Sequence, residues 1–323
     1  MSSPARAART ATRTAPTPRR PAGAWRPAEL GLPEQPLRVR RKAGLLEHVR
    51  AALDQRLRAL LAHEPGTRSG QDPEDLHQMR VAVRRMRAVL RAARPALDRG
   101  WADELRAELG WLGRALGPVR DLDVLIERLR EEAAEFGADE RAAVERLLEG
   151  LVDERERARE QMLGVLDDER YGALLRRLAA VAGDEVPTGE RTDLDLRELV
   201  RAEFRKVRRD VRRAGPQPPD AELHALRIRV KRLRYTAELA DPVVRTKRLV
   251  KAAVAVQDVL GEHQDSCVAE ERVRELLSGR SDAPQQVAFA AGRLVERERT
   301  RRAACRAGWW KRWDNLAKIA RKI

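Results

Sequence analysis

The sequence has few aromatic residues, few cysteines and no long apolar run. Of 323 residues, 3% are aromatic and two are cysteines, Cys267 and Cys305. Because strands favour aromatic and β-branched residues, this composition argues against a β fold. Two cysteines cannot form a disulfide framework, and the start of the sequence does not resemble a secretory signal, so we expect a cytoplasmic protein. A membrane helix needs about 18 consecutive apolar residues, and none of the runs is that long, so we expect solubility.

Charge is abundant instead. Charged residues make up 36% of the chain, and 66 Lys and Arg against 51 Asp and Glu give a formal net charge of +15. The dominance of Ala, Leu, Arg and Glu predicts long, exposed helices. The positive surplus indicates a polyanionic partner, such as nucleic acid, an acidic membrane surface or a polyphosphorylated molecule.

The first 42 residues differ from the rest. They hold ten basic and two acidic residues, are rich in Pro, Ala and Thr, and lack an apolar period. This predicts a disordered basic leader over residues 1–42, with an organelle transit peptide as the alternative interpretation.

From residue 43 onward a helical period predicts two series of helices, repeat A over 43–182 and repeat B over 193–323, joined by a polar linker over 183–192. The Gly117-Pro118 pair predicts the end of one helix and the start of the next. The predicted helices span residues 43–63, 73–97, 100–116, 118–136, 138–164, 168–182, 193–214, 219–240, 243–260, 262–279, 283–307 and 309–321.

The two series contain repeated motifs. The segment Leu76–Arg87, LHQMRVAVRRMR, recurs 147 residues later as Leu223–Arg234, LHALRIRVKRLR. Val-Arg-Ala at 49–51 recurs at 200–202, and Leu-Gly followed by Asp at 116–121 recurs at 260–265. Three matches in the same order, at nearly one offset, indicate a duplicated helical unit.

Each long motif predicts an amphipathic helix. At about 100° per residue, Met79, Val83 and Met86 share an apolar face, whereas His77 and Arg80 lie on the opposite side. Like charges three and four residues apart repel, so a bound anion or nearby carboxylates must offset them. Arginine donates paired hydrogen bonds to phosphate, which favours the anion; a solvated basic face is the alternative. The predicted binding residues are His77, Arg80, Arg84, Arg85, Arg87, Arg91, His224, Arg227, Lys231, Arg232 and Arg234.

Other residues near these motifs are weaker candidates. Arg120 and His263 are possible further ligands of the anion. Asp121, Asp123 and Asp265 are interpreted either as partners that orient the arginines or as acidic residues that complement a helix dipole. The cluster at 309–313, Trp-Trp-Lys-Arg-Trp, predicts packing of a terminal helix, with base stacking or membrane-interface insertion as alternatives.

The motifs resemble the CHAD family, the conserved histidine α-helical domain. The resemblance covers roughly residues 43–323 and is most specific at 77–87, at 224–235 and in the Leu-Gly motifs at 116–123 and 260–265. It implies an all-α fold of two antiparallel helical bundles, related by a pseudo-twofold axis around a basic central cavity. It also implies binding of inorganic polyphosphate, often at intracellular polyphosphate granules.

Nucleic-acid binding and catalysis are the two other classes of function that a basic helical protein could have. A nucleic-acid-binding basic helical protein is the alternative, although the sequence has no zinc-finger cysteines, basic-zipper heptads or aromatic RNA-binding signature. Catalysis is not expected, because phosphoryl transfer normally needs an acidic magnesium site and a phosphate loop. We therefore expect no enzyme activity, no cofactor and no bound metal.

Overall fold

The computed structural model describes residues 23–183, 186–191, 194–279 and 284–323. Within these ranges the fold is all-α, as predicted, and the sole β pairing is an isolated bridge between Leu97 and Thr188. No helix among the described residues is both long and apolar enough to cross a membrane. The helices are α1 (Leu45–Ser69), α2 (Pro73–Ala92), α3 (Arg99–Ala133), α4 (Ala138–Asp167), α5 (Glu169–Gly183), α6 (Leu196–Ala214), α7 (Asp220–Val244), α8 (Lys247–Ser278) and α9 (Gln285–Ala320).

The helix starts follow local chemistry. The Asp72 carboxylate caps α2 by accepting from the Glu74 N–H at 2.8 Å, and Pro73 occupies the first helical position. Asp98 and Asp195 cap α3 and α6 in the same way. These caps satisfy N–H groups that have no partner within the helix.

Four predicted helix breaks are wrong. Helix α1 continues through Pro65 to Ser69, past its predicted end at residue 63. Helix α3 continues through Gly117-Pro118, α8 continues past residue 261, and α9 continues past residue 308. A proline inside a helix costs about 3 kcal/mol. Burial of one large apolar side chain contributes about 1.5–3 kcal/mol, and Leu112, Leu116 and Val119 are all buried around Pro118. Packing therefore outweighs the local break signal.

The apolar faces predicted for the two motif helices are confirmed. Met79, Val83 and Met86 of α2 are buried, as are Val230 and Leu233 of α7. Helix α2 packs between α1 and α3, helix α7 packs between α6 and α8, and α2 and α7 contact each other. The contact between the motif helices brings part of one polar face close to part of the other. The pseudo-twofold relation and the repeat boundaries remain predictions.

The disordered leader is a wrong prediction for residues 23–42; residues 1–22 lie outside the described part of the chain. The Leu37 N–H donates to Asp54 Oδ2 at 2.8 Å, the Trp25 N–H donates to Glu64 Oε2 at 3.2 Å, and Leu32 is buried. Both carboxylates belong to α1 and are themselves buried. This N-terminal segment has no long helix to give it an apolar period: it contains one short 3-10 helix, Pro27–Leu30, and buried acids accept from backbone donors on either side of it.

Part of the predicted linker also packs closely. Asp98 N donates to the Pro187 carbonyl at 2.9 Å and Gly189 N donates to the Ala96 carbonyl at 3.0 Å. A Cβ at Gly189 would collide with the Leu97 backbone, so the close approach requires glycine at this position.

Candidate anion-binding cavity

Helices α2, α3, α7 and α8 line an open cavity of about 820 Å³, which we call the central cavity. Seven cationic side chains and four carboxylates line it. Both copies of the repeated motif contribute, so residues 147 positions apart in sequence face the same space. The predicted residues that line the cavity are His77, Arg80, Arg84, Arg120, Asp121, His224, Arg227, Lys231, Arg234 and Asp265.

Three of the seven cations are paired with carboxylates. Arg80 Nη1 donates to Asp121 Oδ1 at 2.9 Å and to the Gly117 carbonyl at 2.8 Å. Arg234 Nε lies 3.0 Å from Glu238 Oε1. Arg128 bonds to two further carboxylates, one of them on α9. These ion pairs fix the guanidinium groups in place at the cavity wall.

The other four cations, Arg84, Arg120, Arg227 and Lys231, have no carboxylate oxygen within 4.0 Å among the described residues. Arg84 Nε donates to the Tyr235 hydroxyl at 2.6 Å, which leaves the charge uncompensated. Burial, followed by the positive charges of Arg227 and Arg84, lowers the pKa of Lys231 to about 8. Burial is the larger cause, and the neighbouring positive charges act in the same direction.

The two histidines differ in their contacts. His224 Nδ1 lies 2.8 Å from Gln264 Oε1, so the amide fixes the ring orientation. Burial lowers the pKa of His77; Glu74 opposes the shift, whereas Arg120 and the other nearby arginines add to it. A neutral imidazole still donates one hydrogen bond, and a bound phosphate would favour the doubly donating cation.

The acidic candidates separate into two groups. Asp121 binds Arg80, and Asp265 lies near Arg227; burial raises the pKa of Asp265, against the effect of Arg227. Asp123 instead faces away and accepts from Arg155 Nε at 2.9 Å. The structure therefore places the first two beside cationic ligand candidates and the third elsewhere.

Several predicted ligands do not line the central cavity. Arg85 lies 3.4 Å from Glu238 in a neighbouring cavity, and Arg87 packs against Gly110 of α3. Arg91 and Arg232 line a groove near α6. Although the basic residues share one helix face, α2 and α7 meet at Arg84 and Tyr235. Residues that follow Arg84 along α2 therefore lie beyond the helix contact.

His263 is also away from the cavity. Its side chain is 2% exposed, and Nε2 lies 3.1 Å from Asp220 Oδ1. Asp220, His263 and Cys267 bring possible metal-ligand atoms within 4.8 Å of one another. Arg306 bonds to Asp220 and Arg302 lies 3.9 Å from it, so two cations already occupy the surroundings of that carboxylate. Like charge at such short range disfavours a metal ion.

Sequence reasoning missed part of the cavity wall, including Arg128, Gln257 and Glu262. Arg128 follows Asp121 by seven residues, two helical turns, and therefore shares its face. That spacing is a signal that could have identified Arg128. Gln257 accepts from Arg234 Nη1 at 2.9 Å, a contact between helices that helical spacing alone does not indicate.

The tryptophan cluster belongs mostly to the core. Trp309 and Trp313 are buried, and Trp309 Nε1 donates to the Pro216 carbonyl at 3.1 Å. Trp310 is 38% exposed and stacks edge-on against Trp309 at 5.2 Å between ring centroids. Two of the three rings thus fit the packing interpretation.

Comparisons with known proteins agree with this architecture. The family model described as "CHAD domain" matches residues 51–274. Two proteins of Mycobacterium tuberculosis, "Uncharacterized protein MT2285" of strain CDC 1551 / Oshkosh and "Uncharacterized protein Rv2226" of strain ATCC 25618 / H37Rv, are each 29% identical over 290 residues. The match covers 85% of this chain and 54% of each relative, so the chain spans about half the length of these proteins.

Two solved structures share the fold. PptA from Streptomyces chartreusis has a TM-score of 0.68 at 23% identity, with 84% of this chain and 98% of that chain covered. The CHAD domain from the plant Ricinus communis has a TM-score of 0.66 at 26% identity, with 90% of this chain and 96% of that chain covered.

Proposed function

The chain belongs to the CHAD domain family, and we propose that its central cavity binds inorganic polyphosphate. The observation that carries the proposal is the convergence of both motif copies on one cavity that holds four cations without a carboxylate partner among the described residues. An isolated helix would be destabilised by such charges. A bound polyanion would offset them in both halves at once.

The chemistry of the lining fits phosphate better than other anions. Arginine forks donate two parallel hydrogen bonds to phosphate oxygens, and Arg84, Arg120 and Arg227 are available for this. Lys231 adds a charge without a fixed direction. Polyphosphate carries about one negative charge per unit and presents no bases, so recognition would be electrostatic and would weaken with salt.

We propose binding without catalysis. Two of the four cavity carboxylates, Asp121 and Glu262, are already in ion pairs with arginines. Phosphoryl transfer normally uses an acidic magnesium site and a phosphate loop. Steady release of orthophosphate from polyphosphate, lost on His77→Ala with His224→Ala, would contradict this part of the proposal.

The test is a titration of the full chain with long-chain polyphosphate at two salt concentrations, with duplex DNA and ATP as competitors. The variant Arg227→Gln/Lys231→Gln removes two cavity charges. Its control, Arg146→Gln/Arg157→Gln, removes two charges from exposed positions of α4 that have no ion pair among the described residues. We expect the wild type to bind polyphosphate tightly and in a salt-sensitive way. Only the cavity variant should weaken this binding. Equal loss in both variants would indicate generic charge binding.

Nucleic-acid binding is the competing function, favoured by the five arginines of residues 1–22. A chain that lacks residues 1–22 separates the two. If the central cavity is the polyphosphate site, polyphosphate affinity persists while DNA affinity falls. Loss of polyphosphate binding with the segment, or equal competition by DNA, would make nucleic acid the better candidate. Association with polyphosphate granules follows from the same proposal and is tested by fluorescence co-localisation of the full chain and its cavity variant.

A further inference from the structure

A second basic concavity lies beyond the contact between α2 and α7, where the end of α2 approaches α6. It consists of two adjoining cavities of about 240 and 260 Å³ that share Arg91, Glu203 and Lys206. We call it the α6 groove. Eight cationic side chains line it, against two carboxylates, Glu198 and Glu203.

The α6 groove has a larger cationic surplus than the central cavity, where seven cations face four carboxylates. Some of its cations are compensated: Lys206 pairs with Glu203 at 2.6 Å, and Arg229 pairs with Asp210 at 2.9 Å. Arg91 and Arg232 have no ion pair with a carboxylate among the described residues. Arg99, Arg191 and Arg205 likewise have no ion pair among the described residues, so five of the eight groove cations lack a carboxylate partner.

Arg91 and Arg232 also repel each other. Burial, then the positive charge of Arg91, lowers the pKa of Arg232, and burial followed by Arg106 lowers that of Arg91. Glu203 partly opposes both shifts. Like charges held together in a partly desolvated groove are unfavourable unless an anion joins them.

The duplicated sequence supplies an internal comparison. At the offset of 147, Arg85 corresponds to Arg232 and Glu238 corresponds to Arg91. On one side of the contact between α2 and α7 the pair is a salt bridge between the two halves, with Arg85 Nε 3.4 Å from Glu238 Oε2. On the other side of that contact a second arginine replaces the acid, and the pair is left without its internal counter-ion. The same structural position is thus neutralised once and left positive once.

We propose that the α6 groove is a separate anion site that binds a short oligophosphate, either inorganic or carried by a nucleotide, with Arg91 and Arg232 as its principal ligands. Each of its cavities is less than a third of the central cavity in volume, which favours a few phosphate groups over a long chain. The site stands on its own residues and does not require that the central cavity bind polyphosphate.

The test is isothermal titration of the full chain with inorganic tripolyphosphate and, separately, with ATP. Arg91→Glu copies the charge pattern of the Arg85–Glu238 pair, so Glu at this position is expected to pair with Arg232 and leave the fold intact. Arg157→Glu on α4 is the control, because it makes the same charge change at an exposed position. We expect at least one ligand-binding step to weaken about tenfold or more in Arg91→Glu and to be unchanged in the control.

The central variant Arg227→Gln/Lys231→Gln distinguishes the two sites. The α6 step should survive in that variant, even if the central cavity binds no polyphosphate at all. If circular dichroism shows that Arg91→Glu is misfolded, Arg232→Gln replaces it, with Arg157→Gln as control. Response to tripolyphosphate alone indicates an inorganic ligand, and response to ATP alone a nucleotide. Binding of neither, or wild-type titration curves in both groove variants, overturns the proposal.

Discussion

Arg84 of α2 donates from Nε to the hydroxyl of Tyr235 on α7 at 2.6 Å, and the contact joins the two motif helices at the edge of the central cavity. The neutral hydroxyl orients the guanidinium without cancelling its charge. The corresponding position in the first motif is Ala88, so only one such bond is encoded by the duplicated pair. Tyr235 is therefore a positioning residue for a ligand contributed by the other half.

Tyr235→Phe is expected to weaken polyphosphate binding about two- to tenfold, because one hydrogen bond contributes about 0.5–1.5 kcal/mol. Titration with long-chain polyphosphate measures the change. In a double-mutant cycle with Arg84→Gln, the two losses should be less than additive if the tyrosine acts through Arg84. Full additivity would show that the hydroxyl acts independently.

Polyphosphate affinity should fall as the pH rises through about 8, the pKa of Lys231 in the folded protein without ligand, because the neutral amine attracts the anion less. This dependence of polyphosphate affinity on pH should be absent in Lys231→Met. Between pH 7 and 9 the other cavity arginines stay charged, so Arg227→Gln should retain the slope at lower overall affinity. An unchanged slope in Lys231→Met would assign the titration to another group.

The stability of the free protein should show the opposite trend. The folded-state pKa of Lys231 is depressed from 10.5 to about 8, so between these values the unfolded chain binds more protons than the folded one. Stability contributed by this lysine therefore rises with pH through that window. Urea unfolding at pH 7.5 and 9.5 measures it, and the difference between wild type and Lys231→Met should narrow or reverse across the window.

Arg227→Glu should weaken polyphosphate binding more than Arg80→Glu. Arg80 is already neutralised by Asp121 at 2.9 Å, whereas Arg227 has no such partner among the described residues. A hydrogen bond to a charged group is worth about 1.5–3 kcal/mol, so the double variant should lose several kcal/mol. Far-ultraviolet circular dichroism should be unchanged, since both residues face the cavity. Wild-type affinity in the double variant would refute the cavity assignment.

Asp54→Asn should destabilise the fold without weakening polyphosphate binding. The buried carboxylate accepts from the Leu37 N–H and pairs with Arg58 at 2.9 Å. Breaking a buried ion pair costs about 3–5 kcal/mol, measurable as a lower urea midpoint. Asp153→Asn, at an exposed position of α4, is the control and should unfold like the wild type. Equal midpoints would mean that the Asp54 carboxylate does not stabilise the packing of the N-terminal segment.

The sequence predicted what depends on local periodicity. The apolar faces of α2 and α7 follow from helical spacing, and the all-α class follows from composition and periodicity. That His77 and His224 would line one cavity was implied only by the resemblance to the CHAD family. Packing across helices was not predictable in this way. Gly117-Pro118 is a strong local break signal, yet the buried leucines around it keep α3 continuous.

Residues that share a helix face do not all share a site, because a neighbouring helix divides that face. Arg84 and Arg91 illustrate this: they lie on one side of α2, but the contact with Tyr235 separates the central cavity from the α6 groove. The prediction of disorder for the N-terminal segment was wrong for a related reason. Its apolar residues are isolated in sequence, and the buried acids that hold its backbone lie on α1.

The same segment makes the two flanks of the molecule unequal. Pro36, Leu37 and Val39 cover the cavity that contains Arg85 and Glu238, whereas the corresponding α6 groove with Arg91 and Arg232 is lined by α6 and the end of α2. One flank has an ion pair between the motif helices, and the other has two arginines at the corresponding positions. A polyanion longer than the central cavity should therefore extend out of it preferentially toward α6. The two flanks of a protein built from duplicated halves would then bind the chain unequally.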